Sequence, residues 1–104
     1  MQTTITVLHC EVADTLRARA LTVVERLGNL ASRPMEMAVV FDTDGAGPTV
    51  ELRLHVARGE ILVAKGDGPD HRSALDRAEE KLRRQVKRAS DRPRKGRSAR
   101  AKTL

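Results

Sequence analysis

Four basic side chains, Arg77, Lys81, Arg84 and Arg88, recur at steps of four, three and four residues, the spacing that lines side chains along one stripe of an α-helix. A stripe of like charge repels itself unless acids interleave, and Glu79 and Glu80 relieve only part of it. It is either a solvated helix face or a surface for something anionic. The residues that follow favour the second reading: from Arg77 to Leu104 there are 12 basic and 3 acidic side chains, net +9, running on directly from the stripe. Cations in this pattern suit the phosphates of a nucleic-acid backbone. On an earlier helical segment Arg19 and Arg26 stand seven apart and share a face beside an apolar stripe. They either extend the same patch or lie with their stems along the edge of the core.

No other chemistry finds a constellation. His9, His55 and His71 fall on a strand end, a strand's wet face and a helix start, without the H-x-H or H-x-x-x-H spacing of metal ligands, so no metal is expected. Asp67 and Asp70 are read as turn and cap residues, and Asp76 as a helix-surface or loop-anchoring residue, rather than as a carboxylate cluster. Cys10 follows His9, but neighbours on a strand point to opposite faces, so His9 is no base for it and a small half-buried residue is expected. Glycines 45, 47, 59, 66 and 68 precede no helix-borne Lys-Ser or Lys-Thr and are read as turn residues. Neither a cofactor nor a small-molecule substrate is expected.

The elements that must position the stripe are those of one small domain. A chain of 104 residues holds a single unit, and one of this size buries about two-thirds of its unfolded surface, leaving little room for an enclosed cavity. Charged residues are 33% of the chain, and 20 Lys and Arg against 14 Asp and Glu give +6, which favours acidic partners. Phe41 is the only aromatic residue, so a surface that stacks bases on rings is excluded. A single cysteine excludes an internal disulfide framework and fits a reducing cytoplasm. With no run of 18 apolar residues and no basic leader before an apolar stretch, neither a membrane anchor nor an export signal is expected.

Charge divides the chain. Residues 1–89 carry 14 basic and 13 acidic side chains, whereas residues 90–104 carry 6 and 1 with almost nothing apolar, so a folded domain over 1–89 and a disordered basic tail over 90–104 are expected. Thr4 to Leu8 alternates as a half-buried strand. From Asp14 the apolar spacing becomes helical through Leu16, Ala20, Val23, Val24 and Leu27, ending near Gly28-Asn29. Strands are expected at about 36–42, 49–57 and 60–65, joined by turn chemistry at 43–48 and by Arg58-Gly59. In the second of these Val50, Leu52, Leu54 and Val56 face one way and Glu51, Arg53 and His55 the other. A last helix runs from an Asp70 N-cap to about Ala89, with Leu75, Ala78, Leu82, Val86 and Ala89 as its apolar stripe and the cations opposite. The fold class is α+β, a two-layer sandwich in the order β-α-β-β-β-α with both helices on one face of a four-stranded sheet, similar to a double-stranded-RNA-binding domain.

Three stretches resemble the ribosome hibernation-promoting factor family, also called ribosome-associated inhibitor or subunit-interface proteins. They are Leu54-His55-Val56-Ala57-Arg58-Gly59-Glu60-Ile61, Asp70-His71-Arg72-Ser73-Ala74-Leu75-Asp76 and Lys81-Leu82-Arg83-Arg84-Gln85-Val86-Lys87. They are similar to the family's "LHVxGGEI", "DMYAAID" and "KLxRQLxK", with weaker support from Glu11-Val12 and Leu16-Arg17, and the resemblance covers about residues 3–92. It implies the same element order. It also implies binding to the small ribosomal subunit and its RNA in the decoding region, with translation silenced reversibly during stress or stationary phase. Family contacts carry over to Arg26, Lys81, Arg84 and Lys87, and the stripe itself adds Arg77 and Arg88. Two positions depart from the pattern: Arg72 stands in place of an aromatic residue and Val23 in place of a frequent basic one. The chain resembles the family's short form, so the additional dimerisation domain of long members is not expected in it.

The leading expectation is a ribosome-binding translational inhibitor without catalysis, located in the cytoplasm. A general binder of double-stranded RNA is the alternative, since a sequence-blind basic surface would suffice. An enzyme is disfavoured because no nucleophile, base and orienting group converge, and a protein-interaction module holding an acidic partner would survive ribonuclease treatment. A chain ended at Ala89 should fold normally, associate with ribosomes more slowly at low salt and differ little at high salt, where screening has removed the tail's contribution. An affinity loss equal at both salt concentrations would contradict that role.

Overall fold

A computed structural model describes residues 1–91 of the chain. The elements follow in the order β1 (Gln2–Val7), α1 (Asp14–Leu30), β2 (Pro34–Asp44), β3 (Gly47–Val56), β4 (Ile61–Asp67) and α2 (His71–Asp91), as the periodicity predicts. They build one sheet in the order β1-β2-β3-β4. The pair β1 and β2 is parallel, which requires a crossover, and α1 supplies it; the other two pairs are antiparallel hairpins. Tail residues 92–104 lie outside the described residues, and α2 reaches Asp91, two residues beyond the expected end at Ala89.

The strands are longer than expected at the β2–β3 hairpin. Thr43 pairs with Pro48 and Asp44 with Gly47, so only Gly45-Ala46 remains as the turn. The reason is local: the Asp44 carboxylate accepts the Ala46 amide at 2.8 Å, closing the turn with a side chain, and Gly47 takes φ 112° at no steric cost.

Strand alternation puts one apolar set on the helix side of the sheet, and the register aligns it into rows. One row runs Ile5, Val39, Leu52, Ala64, and the next runs Val7, Phe41, Val50, Gly66. Against these rows α1 packs Ala20, Val23, Val24 and Leu27, and α2 packs Ala74, Leu75, Ala78, Leu82 and Val86, all buried. Thr4, Thr6, Arg53, Val63 and Lys65 are exposed on the opposite face. The N-cap of α2 is the one expected: the Ser73 amide donates to the Asp70 carboxylate at 2.8 Å.

Gly66 is a correction to its reading as a turn residue. It lies inside β4 and is buried, at the end of a row whose other members are large. A Cβ there would come within 2.6 Å of the Ala78 nitrogen and closer still to the Ala74 carbonyl oxygen, so glycine is what lets the α2 backbone lie directly on β4. Leu82, fully buried in the same layer, should cost about 2 to 5 kcal/mol when cut to Ala. Gly66→Ala should also lower the melting temperature, although it adds only a methyl group, because backbone and not a flexible side chain stands in the way. Thermal unfolding checks both, and a parent-like melting temperature for either variant would contradict the packing described.

Candidate nucleic-acid interface

The cations of α2 divide between two flanks with different chemistry. On the α1 side, Arg19 donates through Nε and Nη2 to one oxygen of Asp76, at 3.1 and 2.8 Å. Two turns along α1, Arg26 makes a two-pronged contact with Glu79, Nε to Oε2 at 3.0 Å and Nη2 to Oε1 at 3.1 Å, and Arg83 adds Nη2 to Oε2 at 2.8 Å. Glu79 is buried, and a buried carboxylate is tolerated only when paired and hydrogen-bonded. Two arginines on one carboxylate leave this group with a net charge of +1 at the surface, where Arg26 is half exposed. Asp76 thus anchors α1 rather than a loop, and Arg19 and Arg26 are interhelical braces first.

The other flank faces β4. Arg77 Nη1 donates to the Asp67 carbonyl at 2.7 Å, Lys81 Nζ to the Lys65 carbonyl at 2.9 Å and Gln85 Nε2 to the Val63 carbonyl at 2.7 Å. The basic stripe expected opposite the core is therefore displaced toward the outer sheet edge. Arg77 and Lys81 remain exposed there with part of their donor capacity engaged. Arg84 pairs with Glu80 one turn back at 2.8 Å, an exposed contact of small energetic weight. Lys87 and Arg88 are exposed and make no ion pair among the described residues. The predicted contacts accordingly do not form one uniform surface. Arg77, Lys81, Arg84, Lys87 and Arg88 share the outer side of α2, while Arg26 sits across the α1–α2 seam.

At the start of both helices the structure assembles a polar junction that sequence reasoning did not find. The Asp42 carboxylate lies 2.9 Å from His9 Nδ1 and accepts the Thr43 amide at 2.7 Å. The Asp42 carbonyl accepts from His71 Nε2 at 2.8 Å, and the His71 ring meets Phe41 edge-on with centroids 6.0 Å apart. His9 adopts φ 55°, past the end of β1, so His9 and the half-buried Cys10 are not the strand neighbours expected. Nothing in the spacing of residues 9, 42 and 71 signals this meeting, because it depends on sheet register. The junction borders an open cleft of about 330 Å³ lined by Thr15, Leu16, Arg19, Asp70, His71 and Arg72.

A four-stranded sheet with two helices on one face and exposed cations along the outer helix defines a small basic α+β domain. The chain belongs to the Sigma 54 modulation protein / S30EA ribosomal protein family, a family of ribosome hibernation factors, whose model matches residues 3–94. Among solved structures, a ribosomal subunit interface protein from Coxiella burnetii superposes with a TM-score of 0.75 at 15% identity, covering 86% of this chain and 98% of that one. The Protein Y N-terminal domain from Thermus thermophilus gives a TM-score of 0.72 at 23% identity, covering 86% and 99%. These two likenesses support the fold. No curated protein matches the sequence. No helix among the described residues is long and apolar enough to cross a membrane.

Two carboxyls titrate below their ordinary value of 3.8: Asp70, held down chiefly by the Ser73 amide, and Asp42, held down by His9 and then by the Thr43 amide. A depressed carboxylate stabilises the fold above its unfolded pKa, and the contribution is lost as pH falls through the folded value. Asp70→Ala should therefore melt below the parent at neutral pH, with the gap closing as pH drops below 3.8. Melting curves followed by circular dichroism check this, and a gap that persists at full size to about pH 2 would contradict the cap's electrostatic role.

Proposed function

We propose that this protein binds the small ribosomal subunit in its decoding region through ribosomal RNA phosphates, and silences translation reversibly under stress or in stationary phase. It acts by occupancy, without catalysis or a cofactor, in the cytoplasm. The observation that carries this reading is the set of exposed cations on the outer side of α2, in a chain whose family is ribosome-associated. Lys87 and Arg88, without ion pairs among the described residues, and Arg84, in only an exposed pair, are the side chains with most charge to offer. Arg77, Lys81 and Arg26 contribute from positions fixed by their bonds to β4 and Glu79.

Each phosphate contact made by a cation releases counterions, so affinity falls as salt rises and each lost contact flattens that dependence. Replacing Arg84, Lys87 and Arg88 together by Ala should release the protein from the small-subunit fraction of a sucrose gradient at moderate salt. The melting temperature should stay close to the parent's, because only the exposed Arg84–Glu80 pair is lost. Co-sedimentation equal to the parent's would contradict the assignment of these residues. Equal affinity of the parent for a free RNA duplex would favour a general binder of double-stranded RNA.

A further inference from the structure

Among the described residues, three other than glycine hold positive φ: His9 at 55°, Arg33 at 56° and Arg58 at 78°. This backbone region is costly for a side chain with a Cβ and persists where the surroundings or a function require it. For His9 the reason is local, since its ring bonds to Asp42. Arg33 and Arg58 have no such reason: among the described residues neither side chain makes a hydrogen bond or an ion pair, and both are exposed.

Each arginine stands where a different residue would be easier. Arg58 and Gly59 have successive φ values of 78° and 81° at the tip between β3 and β4, a pair of conformations that Asn-Gly or Gly-Gly adopts at least cost. Arg33 directly precedes Pro34, and the residue before a proline is steered toward extended backbone, so its positive φ is disfavoured twice. The two are also brought together. Pro34 pairs with Val56, and the Ala57 amide donates to the Arg33 carbonyl at 3.0 Å, so the turn carrying Arg58 is fastened to the one carrying Arg33. Glu36 and Glu60, the nearest acids in the chain, pair with neither.

The same end of the molecule receives the end of α2. Arg77, Lys81 and Gln85 bond in turn to Asp67, Lys65 and Val63, so α2 runs antiparallel to β4 and its last turns, with Lys87 and Arg88, head toward the β3–β4 tip.

We infer that Arg33 and Arg58 form a second phosphate-binding clamp, separate from α2, that grips the backbone of the same bound RNA at the end of the sheet. This rests on the reading of the protein as a ribosomal-RNA binder and adds a site to it. Arginine suits the role because its planar fork meets phosphate oxygens with two bonds, and both side chains are exposed with their donors unengaged among the described residues.

The test separates function from structure by sign. Arg58→Gly and Arg33→Gly remove the charge and relieve the backbone, so each should melt at or above the parent's temperature while binding isolated small ribosomal subunits more weakly at low salt. The double variant should lower the slope of log affinity against log salt by about two, one for each lost cation. Arg58→Lys, which keeps the charge, should retain the parental slope. An unchanged slope in the double variant would overturn the clamp, and if the α2 variant Arg84→Ala/Lys87→Ala/Arg88→Ala still loses affinity, the ribosomal reading survives that result. If the α2 variant binds normally while the double variant does not, the clamp stands and the helix assignment fails.

Discussion

An α-helix rises about 1.5 Å per residue and a strand about 3.3 Å, so four residues of one keep step with two of the other. That near-equality governs the contact between α2 and β4, where donors at 77, 81 and 85 meet carbonyls at 67, 65 and 63. The seat is close because Gly66 has no side chain, and it is held from the core side by Leu75, Ala78, Leu82 and Val86. It also answers a hazard of open sheets: β4 is an outer strand, and its unpaired carbonyls are engaged by α2 side chains instead of inviting another chain. The placement of every basic residue on α2 follows from this seat.

Charge on the helix layer is organised by the same geometry. Residues of α2 that turn toward α1 meet Arg19 and Arg26, and there the acids Asp76 and Glu79 are spent on interhelical pairs. Residues that turn toward β4 or outward are mostly basic, and apart from Glu80 no acid pairs with them among the described residues. A chain whose first 89 residues are nearly neutral thus carries an uneven surface, with cations gathered on the side of α2 away from α1. Such a surface steers toward polyanions and gains little from base identity, as expected of phosphate recognition.

Much of this was legible in residue spacing. The element order, the inward residues of β3, the Asp70 cap and the burial of Leu82 all follow from periodicities of two and 3.6, because these report directly on which face is buried. What could not be read depends on which strands become neighbours. Gly66 reads as a turn residue next to Asp67-Gly68-Pro69, and only the row through Val50 and Phe41 places it under a helix. Arg26 reads as a contact or as a core-edge residue, and its brace to Glu79, 53 residues away in the chain, needs the relative rotation of two helices. The meeting of His9, Asp42 and His71 likewise joins three elements with no local sign.

We propose that a cationic surface built on α2 directs the chain to the small ribosomal subunit. The most direct test of this is the affinity of the full chain for isolated small and large subunits, measured across a series of salt concentrations. Binding should be tighter to the small subunit, with log affinity falling linearly as log salt rises. Equal affinity for both subunits, or an affinity insensitive to salt, would contradict it.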